Sequence, residues 1–446
     1  MERQYKNTGI EWIGSIPREW KICRLKDIGY LYGGLAGKSG SDFDVEEGDE
    51  YALFIPFTNI FNNDVINPSL LQKVKVDINE VQNEVKEGDL LFLMSSEDYD
   101  GIGKSSILQN SISKLYLNSF CKGMRITNPM VLPKYLFYLM SSHFVREQLR
   151  LEAKGFIRIN LRQDKLLCCS LFLPPIGEQQ RIAEFLDVKC REIDGLITLQ
   201  EQMIAQLTDY KQSVITEIVT KGLIPDAQLV PSGIDWIGDV PKGWNRCAPL
   251  KWFTEIILGK MLQSNANSPT DTLEKYICAK DVHFDGVDYS DLKSMYYSPS
   301  EKVSYQVQRG DMLVVEGGAG AAGAAIVNKD IENTYIQNSI MIVRPKRNID
   351  IRYARYVLFS IVSRGYVDYI CNKATIPHFT KDKLSGTLIP MPSFDEQRAI
   401  AEHLDTKCGE IDRLIETKRQ KIETLKEYKK SVIYEAVTGK TDLWDS

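Results

Sequence analysis

Apolar residues recur at seven-residue intervals in two stretches of the chain. Leu186, Ile193, Leu207 and Val214 are separated by multiples of seven, with Leu196, Met203 and Tyr210 three residues further on. Leu404, Ile411, Leu425 and Val432 repeat the comb, joined by Leu414 and Tyr428. Such spacing keeps one stripe of a helix turned toward a partner helix. Gln200 and Lys418 interrupt the two stripes at the same place, where a polar residue costs stability but fixes register. The pattern predicts helices over 178–221 and 396–439, each roughly 60 Å long at the α-helical rise. These stretches are one segment written twice: aligned without a gap at an offset of 218, they agree at 25 of 44 positions. A compact domain of this size is only about 35–40 Å across. Each helix therefore overhangs its domain, and the two most simply pair with each other; packing of each on its own domain is the alternative.

The regions ahead of these helices read as mixed α/β. Strand-like runs fall at Leu53–Ile60, Asp89–Met94 and Met124–Thr127, and their counterparts at Asp311–Val315 and Ile340–Arg344. Helix-like stretches follow at 134–151 and 351–371. The order is strands, helix, short basic loop, short strand, long helix, an α+β arrangement rather than alternating βαβ. Prolines in LPPIG (173–177) and PMPS (390–393) stand just ahead of the long helices, and Gly222 with Pro225 closes the first. Smaller echoes, GIEWIG (9–14) with Pro17 and Trp20 against GIDWIG (233–238) with Pro241 and Trp244, extend the duplication upstream. Four segments result: globular 1–175, helix 178–221, globular 222–392 and helix 396–439. Two related surfaces at a fixed separation suit recognition before catalysis.

The 446 residues are 43% hydrophobic and 26% charged, an ordinary globular balance with no apolar run near 18 residues and no apolar N-terminal segment. Nine cysteines, odd in number and without metal-ligand spacing, read as reduced thiols of a cytoplasmic protein. The net charge of −5 speaks against a wholesale polyanion binder, but its distribution does not. Residues 1–100 hold 10 basic and 19 acidic side chains, whereas 101–175 hold 11 and 3, and 341–392 hold 9 and 3. Each globular region turns basic just before its helix, and phosphate binding needs only a local basic surface. Charge alone does not separate such a surface from a solvated face without a partner.

Most candidate chemistry fails on spacing. Gly101-Ile102-Gly103-Lys104-Ser105 lacks the first glycine of a phosphate-binding loop, since Asp98 occupies that position. Residues 318–323 match GxGxxG after a strand, but the AAIVNKD that follows reads as another strand, so a hairpin is predicted rather than a dinucleotide site. The four histidines are scattered, and His403 stands where the first copy has Phe185, as a packing or interface residue. Cofactor and catalytic motifs of adenine methyltransferases are absent. The basic loops before the last short strand are the better candidates: AKGFIRINLRQDKL (153–166) and NKATIPHFTKDKL (372–384) share DKL at offset 218 and diverge ahead of it. Lys104, Lys154, Arg158, Asn160 and Arg162 in the first copy, with Lys373, His378 and Lys381 in the second, are the expected DNA contacts. Arginine takes guanine bidentately and asparagine takes adenine, while lysines grip phosphate. A surface loop that drifted after duplication is the competing account.

The chain resembles the specificity subunits of type I restriction–modification systems. The likeness rests on the paired openings Trp12–Trp20 and Trp236–Trp244, the Gly-Asp strand starts, and EQ at the helix starts after Pro174 and Pro392. EID-x-LI (192–197, 410–415) and YK-x-SVI-x-E-x-VT (210–220, 428–438) complete it, so that it spans essentially the whole chain. The resemblance implies an α+β, pseudo-two-fold tandem repeat: two target-recognition domains, each reading half of a split double-stranded DNA site, joined by two helices forming an antiparallel coiled coil. It implies no catalytic residue and no cofactor in this chain. Two modification subunits would dock on the helices with S-adenosylmethionine, and restriction subunits would bring ATP and Mg. Duplex sites about one helical turn apart, near 34 Å, suit domains held by such a spacer. A non-catalytic coiled-coil scaffold and a stand-alone DNA adenine methyltransferase are the rival readings. Salt-dependent binding to duplex DNA and a methylation assay on the isolated chain separate them.

Overall fold

A computed structural model describes residues 3–9, 13–46, 50–77, 80–155, 157–284, 286–318, 320–371 and 378–441. The chain forms two compact units: Met1–Gln200 with Gln420–Ser446, and Glu201–Arg419. Each unit thus takes the start of one long helix and the end of the other.

In the first unit a four-stranded antiparallel sheet runs in the order Gly29–Gly33, Cys121–Ile126, Leu90–Leu93, Ser105–Ile107. Every side chain of Leu90–Leu93 is buried, because both faces of the sheet are covered. Leu90 and Phe92 point into the core made with the helices, and Leu91 and Leu93 into a second cluster with Ile55, Leu115 and Leu117. That second cluster lies against a smaller sheet in which Ala52–Ile55 pairs parallel to Leu115–Leu117 and antiparallel to Gln72–Val74. The run predicted as one strand over Leu53–Ile60 is therefore half strand. Pro56 turns the chain, and Phe57–Asn62 is helical.

The second unit repeats this plan. Its four strands are Thr254–Leu258, Ile340–Pro345, Met312–Val315 and Ala324–Ile326, again antiparallel throughout. Its smaller sheet sets Thr272–Ile277 parallel to Thr334–Ile336 and antiparallel to Lys293–Tyr297. Met312 and Val314 face the helical core, Leu313 and Val315 the other cluster. The α+β reading holds in both copies.

The helix-like stretches break once each. Ser142, extended at ψ 145°, separates Pro133–Ser141 from His143–Glu152. Gly365, left-handed at φ +85°, separates Ile351–Ser363 from Tyr366–Ile370. The long helices are Ile176–Lys221 and Phe394–Val437, starting two residues ahead of the predicted positions because Pro175 and Ser393 already accept the first helical hydrogen bonds. Gly222, at φ +74°, ends the first.

Both helix starts are held by the same two residues. Trp20 donates its indole N–H to Glu178 and Trp244 to Glu396, each at 2.9 Å. The side chain of Gln179 accepts from Leu132 N and donates to Met130 and Pro174 carbonyls; Gln397 does the same with Asp350 N and the Asn348 and Pro392 carbonyls. The repeated EQ dipeptide is thus a docking device for the domain on its own helix. The Gly-Asp starts brace neighbouring strands of the sheet: buried Asp89 takes Arg125 through two bonds of 3.1 and 2.6 Å, and buried Asp311 takes Arg344 through two of 2.8 and 2.7 Å.

Within each unit the two helix segments run antiparallel. Asp194 pairs with Lys429 at 2.8 Å in the first and Lys211 with Asp412 at 2.7 Å in the second, repeat-equivalent bonds with the copies exchanged. The apolar comb is shared with the domains. Leu186 and Val432 lie in the first core beside Ile433 and Val437, and Ile193 is buried; Leu404 lies in the second with Ile215 and Val219, and Val214 packs at its edge. Ile411 is buried, and Leu207 and Leu425 are half-buried. Gln200 is buried and Lys418 lies 3.3 Å from Met203 Sδ. The row three residues on departs from the expected stripe: Leu196, Met203, Tyr210, Leu414 and Tyr428 are exposed. Phe185 packs on the first core, while His403 is exposed.

Candidate nucleic-acid interface

The glycine loop and the basic loop, far apart in sequence, meet in each unit. In the first, Leu93 N–H donates to the Lys104 carbonyl and Gly103 N–H to the Leu93 carbonyl, which makes 94–103 a closed hairpin loop. In the second, Val315 and Gly323 with Ala322 form the same pair of bonds. No helix opens after the GxGxxG segment; Ala324–Ile326 is a strand, and Ala319 lies outside the described residues. The hairpin reading stands and the dinucleotide reading falls.

The basic segment is laid against that loop by a short antiparallel pairing, Ile159–Asn160 on Ser95–Ser96, extended by Leu161 N–H to the Met94 carbonyl. In the second unit the pairing shrinks to a bridge of His378 on Gly317, with Phe379 N–H donating to the Glu316 carbonyl at 2.6 Å. Strand alternation then decides what points out. Ile159 and Leu161 are buried; Arg158, Asn160 and Arg162 are exposed. The segment folds back on itself, since Lys154 and Asn160 exchange both backbone hydrogen bonds, at 3.0 and 2.9 Å. The turn requires glycine at 155, where a Cβ would stand 2.0 Å from the Arg158 carbonyl oxygen.

The individual candidates fare differently. Lys154 is exposed beside the turn. Asn160 donates its amide to the Arg158 carbonyl at 3.1 Å. The Arg158 guanidinium lies over the ring of Phe120, 4.9 Å from its centroid. Lys104 is turned inward: it is half-buried, its ammonium donates to the Phe61 carbonyl, and burial lowers its pKa. Arg162 is occupied by Asp164 through two bonds of 3.0 Å. His378 has an exposed side chain, while its carbonyl accepts from Lys383 Nζ and Cys371 Sγ. Lys381 is exposed at the first position of the helix Lys381–Gly386. Lys373 and Ile376 lie outside the described residues.

Phe120 was missed by sequence reasoning. It sits in an Asn118–Phe120 turn, where its own N–H bonds the Asn118 side chain and the ring stays 54% exposed. An aromatic in a polar turn between strands was the available signal. The corresponding position of the second unit is Ser339, whose hydroxyl turns to Gln337. Among the described residues no group of histidine, cysteine and carboxylate side chains could hold a metal ion, and no helix is long and apolar enough to cross a membrane.

Known proteins carry the same plan. The family model for the type I restriction modification DNA specificity domain matches residues 17–208 and again 255–427. A protein described as the type I restriction enzyme MjaX specificity subunit of Methanocaldococcus jannaschii is 25% identical, covering 98% of this chain and 97% of its own. The MjaVIII specificity subunit of the same organism is 24% identical, with 95% and 93% covered. Among solved structures, one from a study of complex assembly and conformational transition of the type I R-M system superposes with a TM-score of 0.70 at 17% identity, covering 96% of this chain and 99% of that one. The HsdS subunit from Thermoanaerobacter tengcongensis gives 0.51 at 17% identity over 96% and 98%. These structures share the fold.

Proposed function

Since the chain belongs to the type I restriction modification DNA specificity domain family, we propose that it is the non-catalytic subunit that reads a bipartite double-stranded DNA site, one half-site for each repeated unit. One observation carries this reading. The two units share their internal braces residue for residue, Trp–Glu, Gln–backbone and Asp–Arg, and differ at the outward tips, Arg158 and Asn160 against His378. A shared scaffold with divergent tips suits two sites of different sequence, with phosphate contacts setting position and tip side chains setting specificity.

The long helices act as the spacer, an antiparallel coiled coil, and as the docking surface for two modification subunits. Exposed Leu196, Met203, Tyr210, Leu414 and Tyr428 support a role in partner binding, because apolar rows on a helix favour burial against another. Restriction subunits join the assembly, which works in the cytoplasm. S-adenosylmethionine, ATP and Mg belong to those partners.

Sequencing of methylated adenines in cells carrying this chain with its modification subunits tests the reading. A split motif is expected. Exchange of residues 1–175 for another recognition domain should replace one half only, and removal of two turns from the centre of each long helix should change the spacing alone. A continuous motif, or half-sites altered by the helix deletion, would overturn the division of labour.

A further inference from the structure

The basic stretch 101–175 holds five arginines, and their partners sort them. Arg125 is committed to Asp89, Arg150 to Asp100 and Glu147, Arg162 to Asp164, and Arg146 to the Asp100 carbonyl. Among the described residues Arg158 alone of the five meets no carboxylate or carbonyl through its guanidinium; its contact is the face of Phe120. A guanidinium lying over a ring is held in orientation while its N–H edge stays free, and that edge is a planar fork matching guanine O6 and N7. The backbone beneath it is fixed by the Lys154–Asn160 pairing and by the Asn160 amide on the Arg158 carbonyl. Little ordering remains to be done on binding.

We infer that Arg158, presented on Phe120, reads a guanine in the half-site bound by the first unit, with Asn160 as a positioning residue rather than an adenine reader. This rests on the DNA-reading role proposed above. It also sets the units apart, since Ser339 offers no aromatic shelf at the matching place of the second.

The experiment is motif sequencing of methylated adenines with the full complex carrying the native chain, R158A, R158K or F120L. R158A and R158K are both expected to relax one guanine position of one half-site by about tenfold or more, with the other half-site unchanged. F120L, at an exposed site that leaves the fold alone, should relax the same position less. Should R158K retain the native motif, or should every site lose methylation equally, Arg158 grips phosphate and the inference fails. Relaxation of an adenine, or a half-site without guanine, overturns it as well. For a variant that no longer methylates, duplexes retained by the purified complex from a randomised pool supply the motif, and undiminished selection of guanine there also refutes the assignment. A native complex yielding no split motif would sink the functional reading itself, which is a distinguishable result.

Discussion

The indole N–H of Trp20 donates to the carboxylate of Glu178 at 2.9 Å, tying the beginning of the first domain to the first turn of its helix. Glu178 also takes Arg3 at 2.7 Å and is buried. Its repeat partner Glu396 holds Trp244 but is only half-buried. Replacement of Glu178 by alanine leaves the buried Trp20 indole without its acceptor and reduces Arg3 to its pairing with Glu19, and should cost about 2–3 kcal/mol, against about 1 kcal/mol for Glu396→Ala. Denaturant unfolding of the two variants checks the ranking; equal losses would refute it.

Asp89 carries more. It accepts from Arg125, from Tyr32 at 2.6 Å and from Lys86 N at 2.8 Å; it raises the pKa of Arg125, and adds to the rise that burial imposes on Tyr32. Asp89→Ala strands a charge at the sheet and should destabilise the first unit by about 3–5 kcal/mol, with D89A/R125M recovering part of it. Asp311→Ala should act likewise on the second unit through Arg344. Hydrogen exchange of the two sheets would show each loss confined to its own unit.

Lys429 supplies a pH signature. Burial alone would lower its pKa, but Asp64 at 3.4 Å and Asp194 at 2.8 Å outweigh that and raise it. A raised lysine stabilises the fold fully below the unfolded value and loses that contribution as pH climbs through the folded value. The stability difference between the native chain and K429M should therefore stay constant from about pH 6 to 9 and shrink above about pH 10.5. A difference that grows with pH would contradict the pairing.

All nine cysteines are free, and only Cys168 is exposed. Burial pushes the thiols of Cys121 and Cys169 up to about 12, and those of Cys23 and Cys190 to about 11. Alkylation near pH 8 should give one fast adduct at Cys168, with Cys121 and Cys169 reacting only in denaturant. Peptide mass mapping reads this directly.

The sequence made the long helices legible because a seven-residue comb leaves little else for them to be, and the ungapped repeat fixed their equivalence. It also singled out the basic segments, by their divergence ahead of the shared DKL, whereas the turning of Ile159 and Leu161 inward and of Arg158, Asn160 and Arg162 outward came from the fold. It did not show the inward turn of Lys104, because nothing local reveals that Phe61, 43 residues earlier, offers a carbonyl. The pairing of Arg162 with Asp164, only two residues away, was legible locally and was passed over. The second apolar row was read into the stripe because heptad spacing gives a face but not what covers it.

Periodicity, duplication and local charge are properties of neighbouring residues, so the chain by itself determined two α+β units, two helices and a basic segment ahead of each. Tertiary structure decided what depends on distant partners. It assigned the end of each helix to the core of the other copy's unit, placing Val432 and Ile433 with Leu186, and Ile215 with Leu404. It also chose which arginines remain available, because a guanidinium is spent or free according to the carboxylates that folding brings within reach. Arg125 and Arg158 are alike in sequence; only the packed structure gives one to Asp89 and leaves the other on Phe120.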